Sequence, residues 1–123
     1  MNRRKFIASS SLAAFGLAPR GFSAHGSSPF AVVLGTAQDG GYPQAGCKKD
    51  CCKGLWGDVT KRRDVSSLGV IDPATGQRWF IECSPSFPRQ VRRLDEAHPK
   101  LAGKIDGILL THAHIGHYAG LIH

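Results

Sequence analysis

One stretch constrains this 123-residue chain more than any other: Ile108-Leu109-Leu110-Thr111-His112-Ala113-His114-Ile115-Gly116-His117. The segment from Lys104 to Thr111, with Ile105, Ile108, Leu109 and Leu110, reads as a buried β-strand. Residues two apart on an extended chain point to one face, so His112 and His114 can aim side by side from the strand's end. Gly116 permits a tight turn that can bring His117 round to the same point. Neutral imidazoles are good zinc ligands, and three of them with an open position make a catalytic-type site. Zinc there would lower the pKa of a bound water to about 7 and supply hydroxide for attack.

The rest of the chain supplies a sheet for that strand. Pro29-Phe30-Ala31-Val32-Val33-Leu34 is a short apolar run closed by Gly35, a second buried strand. From Thr36 to Gly57 the residues turn to Gly, Lys, Asp and Cys, which predicts a long loop with one helical turn near Cys51 to Trp56. Ser67-Leu68-Gly69-Val70-Ile71 and Arg78-Trp79-Phe80-Ile81 flank Asp72-Pro73-Ala74-Thr75-Gly76, a β-hairpin with strong turn chemistry. Ser84-Pro85 reads as an N-cap with proline at the first helical position. Phe87, Val91 and Leu94 then recur at helical spacing, with Arg89, Arg92 and Arg93 opposite, in an amphipathic helix ending near His98-Pro99. His117 to His123 reads as the start of another helix. Strand, loop, hairpin, helix, strand is the order of an α/β layered fold, one domain at most.

Composition excludes some partners. The formal net charge is +7, but Arg3, Arg4, Lys5 and Arg20 supply four of the positive charges, and the remainder is too mildly basic for a nucleic-acid footprint. Those residues belong to a different signal. Arg3-Arg4 precede Phe6, an apolar small-residue run follows from Ile7 to Ala18, and Pro19, Arg20 and small residues come next. This predicts a twin-arginine signal over residues 1–26, with the Tat export machinery as partner and a periplasmic or secreted destination. The apolar run falls well short of the roughly 20 residues of a spanning helix, so no stable membrane anchor is expected. Lys61-Arg62-Arg63 beside Asp64 reads as a solvated loop. The Gly35–Gly46 loop lacks a phosphate-binding signature, and no serine sits in a nucleophile elbow.

Cys47-Lys48-Lys49-Asp50-Cys51-Cys52 carries chemistry of its own. Thiolates at this spacing can clamp a zinc ion, and the adjacent lysines favour the thiolate form. In an exported chain disulfides are the other reading, and four cysteines permit three pairings. Cys83 reads as a buried thiol at a strand end or a fourth ligand. Glu82, at the end of the hairpin, reads either as a partner to an imidazole or as an exposed carboxylate.

Thr111 to His117 resembles the His-x-His-x-Asp-His signature of the metallo-β-lactamase superfamily. Leu34-Gly35-Thr36-Ala37-Gln38-Asp39-Gly40-Gly41-Tyr42-Pro43-Gln44, the cysteine cluster after it, and Trp79 to Phe87 resemble the branch that contains coenzyme PQQ synthesis protein B. The resemblance covers nearly all of Phe30 to His123 and implies an α/β fold, the N-terminal half of an αβ/βα sandwich over residues 27–123. It implies His112 and His114 as ligands of a first zinc ion and His117 of a second. It implies a structural zinc in the Cys47, Cys51, Cys52 loop and Glu82 as support for the histidine loop. The signature's Asp falls at Gly116, which cannot ligate through a side chain, so one metal ion or two remains open. Two functions follow: a metal-dependent hydrolase of an unspecified small molecule, or a non-hydrolytic metal- or cofactor-binding protein linked to quinone cofactor biosynthesis. Relatives of this kind run further and bring another histidine and the second half of the sandwich. The chain by itself is therefore expected to be an inactive, poorly soluble fragment.

Overall fold

The turn Asp72–Gly76 closes as its residues predict. Asp72 Oδ1 accepts from Ala74 N at 2.9 Å, and Gly76 takes the left-handed φ of +67° that only glycine adopts freely. It joins β2 (Ser67–Asp72) to β3 (Gln77–Ile81) in antiparallel register, with Val70 opposite Trp79. On the other side of β2 lies antiparallel β1 (Phe30–Gly35), with Ala31 opposite Val70. On the other side of β3 lies β4 (Gly107–Leu109), running parallel to it. These relations come from a computed structural model that describes residues 26–123; the expected export signal lies outside the described residues except for Gly26.

A parallel pair needs a crossover, and α1 (Phe87–Ala97) supplies it between β3 and β4. It covers one face of the four-stranded sheet. Leu34, Ile71, Phe80, Cys83, Phe87 and Leu94 form the core there, with Phe30, Val32, Val91, Leu101 and Ile108 packed against it. Gly69 is required in this layer, because a side chain at 69 would collide with the Leu94 methyls.

Three expectations need correction. The α1 cap is Ser86, with Pro88 in the first turn, rather than Ser84-Pro85. Ser84 is buried and serves a polar network instead. Its hydroxyl accepts from Ser86 N at 3.1 Å and bonds Gln90 Oε1 at 2.9 Å, and Gln90 Nε2 donates to the Val65 carbonyl at 2.7 Å. The helical turn expected near Cys51 to Trp56 is a run of hydrogen-bonded turns, followed by a single 3-10 turn at Val59–Lys61 capped by Asp58.

Lys61, Arg62 and Arg63 are exposed, as expected of a solvated loop, but Asp64 beside them is 4% exposed, bonded to Arg89 at 2.5 Å and paired with Arg93 at 3.2 Å. Its carbonyl accepts from Thr36 N and Ala37 N, tying the long loop to α1. Lastly, the strand from Lys104 to Thr111 orders only at Gly107–Leu109, and Ile105, Leu109 and Leu110 are 40%, 56% and 45% exposed. Side chains alternate along a strand, so Leu109 shares a row with Val33, Leu68 and Ile81 on the face away from α1. Nothing among the described residues covers that row.

Candidate metal centre

The centre lies where β3 and β4 end side by side. Glu82 follows β3 directly, and its N–H donates to the Leu109 carbonyl at 2.9 Å, continuing the ladder by one step. Its φ is +75°, a left-handed conformation that costs a non-glycine residue about 1–2 kcal/mol. That turn tucks the carboxylate under the loop leaving β4, where it is 5% exposed rather than at a wet strand end. Glu82 Oε1 accepts from Thr111 N at 3.0 Å and from Thr111 Oγ1. The other oxygen, Oε2, faces His117 Nδ1 at 3.2 Å.

His117 is carried by the short helix α2 (Ile115–Tyr118), which runs on as a 3-10 turn at Ala119–Ile122. Two backbone bonds dock this segment on the core: Cys83 N to the His117 carbonyl at 2.7 Å and Gly120 N to the Cys83 carbonyl at 2.8 Å. The three histidines meet. The ring centroids of His112 are 4.1 Å from those of His117 and 4.6 Å from those of His114, and His112 Nε2 is 3.0 Å from His114 Nδ1. The compact set whose ligand atoms lie within 4.8 Å of one another is Glu82, His112 and His117; His114 joins it through His112.

Thr111 links the carboxylate to an imidazole. Its hydroxyl has one proton, which goes to Glu82, since an ionised carboxylate has none to give. The same oxygen, 2.8 Å from His112 Nδ1, therefore accepts from an Nδ1–H, and the lone pair of His112 is left on Nε2. This is the partnering that orients ligating histidines. Sequence reasoning left Glu82 between an imidazole partner and an exposed carboxylate and missed Thr111, although it directly precedes the first histidine. The fit to a cation rests on two atoms. Glu82 Oε2 and His117 Nδ1 are buried and face each other, yet neither makes a hydrogen bond. A buried carboxylate oxygen and an imidazole nitrogen without partners are what a divalent ion satisfies.

The cysteines form a second cluster. The sulfurs of Cys47, Cys51 and Cys52 lie within 4.8 Å of one another, all three thiols are free, and Cys51 Sγ is 3.8 Å from Cys52 Sγ. The Lys49 backbone N–H, then Cys52, holds the Cys47 thiol below its ordinary value. A backbone bond from Gln44 lowers Cys52, but Cys47, burial and Cys51 outweigh it and push that thiol up. Cys83 stands apart in the core, its thiol pushed up by burial. The cysteine loop borders a cavity of about 520 Å³ lined also by Thr36, Gln38, Tyr42 and Arg63. Tyr42 OH donates to the Cys51 carbonyl at 2.7 Å, and Arg63 lies over the Tyr42 ring at 5.3 Å.

No protein-family model matches the chain. Coenzyme PQQ synthesis protein B of Rhodopseudomonas palustris (strain BisB5) is 36% identical over 96 residues, covering 74% of this chain and 30% of that protein. The protein of the same name from Xanthomonas campestris pv. campestris (strain B100) is 36% identical over 97 residues, covering 74% and 32%. Among solved structures, zinc-bound PqqB from Methylobacterium extorquens superposes with a TM-score of 0.59 at 30% identity, over 75% of this chain and 34% of that one. A diphosphatase from the PhnP family gives 0.58 at 31%, over 76% and 33%. The chain spans about a third of the length of the curated relatives it matches. It is thus a relative of coenzyme PQQ synthesis protein B within the metallo-β-lactamase fold, similar to that protein over about three quarters of this chain.

Proposed function

We propose that the histidine turn is a zinc site and that the protein acts as a metal-dependent hydrolase on a small-molecule carbonyl or phosphoryl group. The observation that carries this reading is the facing pair Glu82 Oε2 and His117 Nδ1, buried, 3.2 Å apart and without hydrogen bonds, with His112 in the same compact set. His112, His114 and His117 would hold the ion with Glu82 beside them. When bound, zinc supplies Lewis acidity and a water whose pKa falls to about 7. The chain's own contribution is positioning: Glu82 and Thr111 set the His112 tautomer and present Nε2, and the backbone bonds at Cys83 hold His117 against the carboxylate. Cys47, Cys51 and Cys52 would clamp a structural zinc that organises the long loop. Arg3 and Arg4 support export of the folded, metal-loaded protein through the twin-arginine route.

The test is metal content together with hydrolysis of bis(p-nitrophenyl) phosphate and p-nitrophenyl acetate, in the wild type and in His112→Ala. The expected result is one zinc equivalent more in the wild type than in the variant, which keeps the ion of the cysteine cluster, with any turnover of either probe abolished by the substitution. Gly116, in place of the motif's carboxylate, favours a second reading: a non-hydrolytic metal or cofactor binder. Zinc bound without turnover of any probe would establish that reading and overturn the first.

A further inference from the structure

The glycine at 116 is buried in the first turn of α2, between His114 and His117. The space a side chain there would fill is already taken. A Cβ built on Gly116 would overlap the Cβ of Asp39 and lie 2.8 Å from its Cα and 3.0 Å from its carbonyl oxygen. A side chain on residue 116 would start from the position that the side chain of Asp39 occupies and would press on the Asp39 backbone as well, so the fold leaves no room for one there.

Asp39 is well placed to be a fixed point. It sits in the tight turn closed by Gly41 N to the Gln38 carbonyl at 2.9 Å, with Gly41 at φ +77°. The residues before the turn are pinned to the core by Thr36 N and Ala37 N on the Asp64 carbonyl and by Ser66 N on the Ala37 carbonyl. Those after it are held by the Tyr42–Arg63 bridge. The carboxylate itself is exposed and makes no hydrogen bond or ion pair among the described residues. Glu82, the acidic group of the compact set, already has one oxygen engaged by Thr111.

We propose that Asp39 supplies the acidic ligand of the histidine centre, delivered from the loop after β1 in place of a carboxylate at position 116. It lies outside the compact Glu82–His112–His117 set, so it acts as an additional ligand, direct or through one water, recruited when a cation occupies the centre. A carboxylate added to imidazoles also shifts the centre toward harder cations such as Mn²⁺. The proposal rests on the metal reading above and adds to it which residue stands in for the one Gly116 removes.

The test is titration of the purified full chain with Mn²⁺, followed by electron paramagnetic resonance, because thiolates disfavour Mn²⁺ and the cysteine cluster stays silent. Asp39→Asn should weaken Mn²⁺ binding by about 10- to 100-fold, with an unchanged unfolding midpoint since the side chain is exposed and unpaired. Gly116→Asp alone should lower the unfolding midpoint, because two side chains then compete for one space. Asp39→Gly combined with Gly116→Asp removes the Cβ overlap but leaves the 2.8 Å approach to the residue 39 Cα, so it should recover only part of the midpoint and of the Mn²⁺ affinity lost in Asp39→Asn. If Asp39→Asn binds Mn²⁺ as the wild type does while His112→Ala loses it, the metal reading stands and this inference fails. If Gly116→Asp alone leaves the midpoint unchanged, the steric exchange, and the inference with it, is wrong. If the wild type binds no Mn²⁺ or Zn²⁺ at the histidines, both fall together.

Discussion

Glu82→Gln separates the two jobs a buried carboxylate can have. In the metal-free protein Gln keeps the Oε1 acceptor for Thr111 N and Oγ1, though two charge-assisted bonds become neutral ones. That change weakens each by about 1 kcal/mol. Against it, the substitution removes a charge that is only 5% exposed and whose second oxygen faces His117 Nδ1 without a hydrogen bond. The new Nε2–H can donate to the Nδ1 lone pair, which is worth about 1 kcal/mol. The two contributions nearly cancel, so the metal-free stability should change by no more than about 1 kcal/mol. In thermal unfolding that is a shift within roughly 4–8 °C for a domain of this size.

Metal binding should respond quite differently. An anionic partner 3.2 Å from a ligating imidazole is lost, and zinc affinity should fall at least about 10-fold, or 1.4 kcal/mol. Glu82→Ala is the control: it removes the charge-assisted acceptor of Thr111 N and Oγ1 altogether and should cost about 2–3 kcal/mol, clearly more than Glu82→Gln. Urea unfolding and competition with a chromophoric chelator give the two numbers. Zinc affinity unchanged in Glu82→Gln, or a metal-free protein as unstable as Glu82→Ala, would refute the argument.

Three further outcomes follow from the same geometry. Asp95→Ala should destabilise the fold by about 3–5 kcal/mol in urea unfolding. The Arg78 side chain is fully buried, and the loss of the 2.7 Å bond to Asp95 leaves its guanidinium only the Leu101 carbonyl. Iodoacetamide at neutral pH should label Cys47 before Cys52, because the Cys47 thiol is lowered and that of Cys52 raised; peptide mapping reads the order, and zinc should protect both. The Arg78 backbone N–H, followed by Lys104, holds the Asp106 carboxyl below its usual value. The stability this contributes is fully present above the unfolded pKa of about 3.9 and is lost as pH falls through the lower native value. Asp106→Asn should therefore flatten the acid limb of the stability curve.

Much of the architecture follows from local rules. The hairpin is written in Asp72–Gly76, the helix in the spacing of Phe87 and Leu94, and the end of β1 in Gly35, because turn chemistry and periodicity act over a few residues. The clustering of His112, His114 and His117 was legible for the same reason: six residues and one turn bring them together. Ser84 was misread, and the burial of Asp64 went unseen, because their partners are distant in sequence. Gln90 and Val65 recruit the first, and Arg89, Arg93 and the loop after β1 recruit the second.

The sequence by itself therefore determined which residues could form a metal centre and what layers stand behind it. Only the tertiary structure decided how that centre is built. Glu82 enters from the end of β3, 29 residues before Thr111, and it does so through a left-handed backbone that no local preference favours. Asp39 reaches the space beside Gly116 from another loop altogether. Residues so far apart meet only because β3 and β4 pair in parallel across α1, and that pairing is a property of the packed sheet rather than of any segment within it.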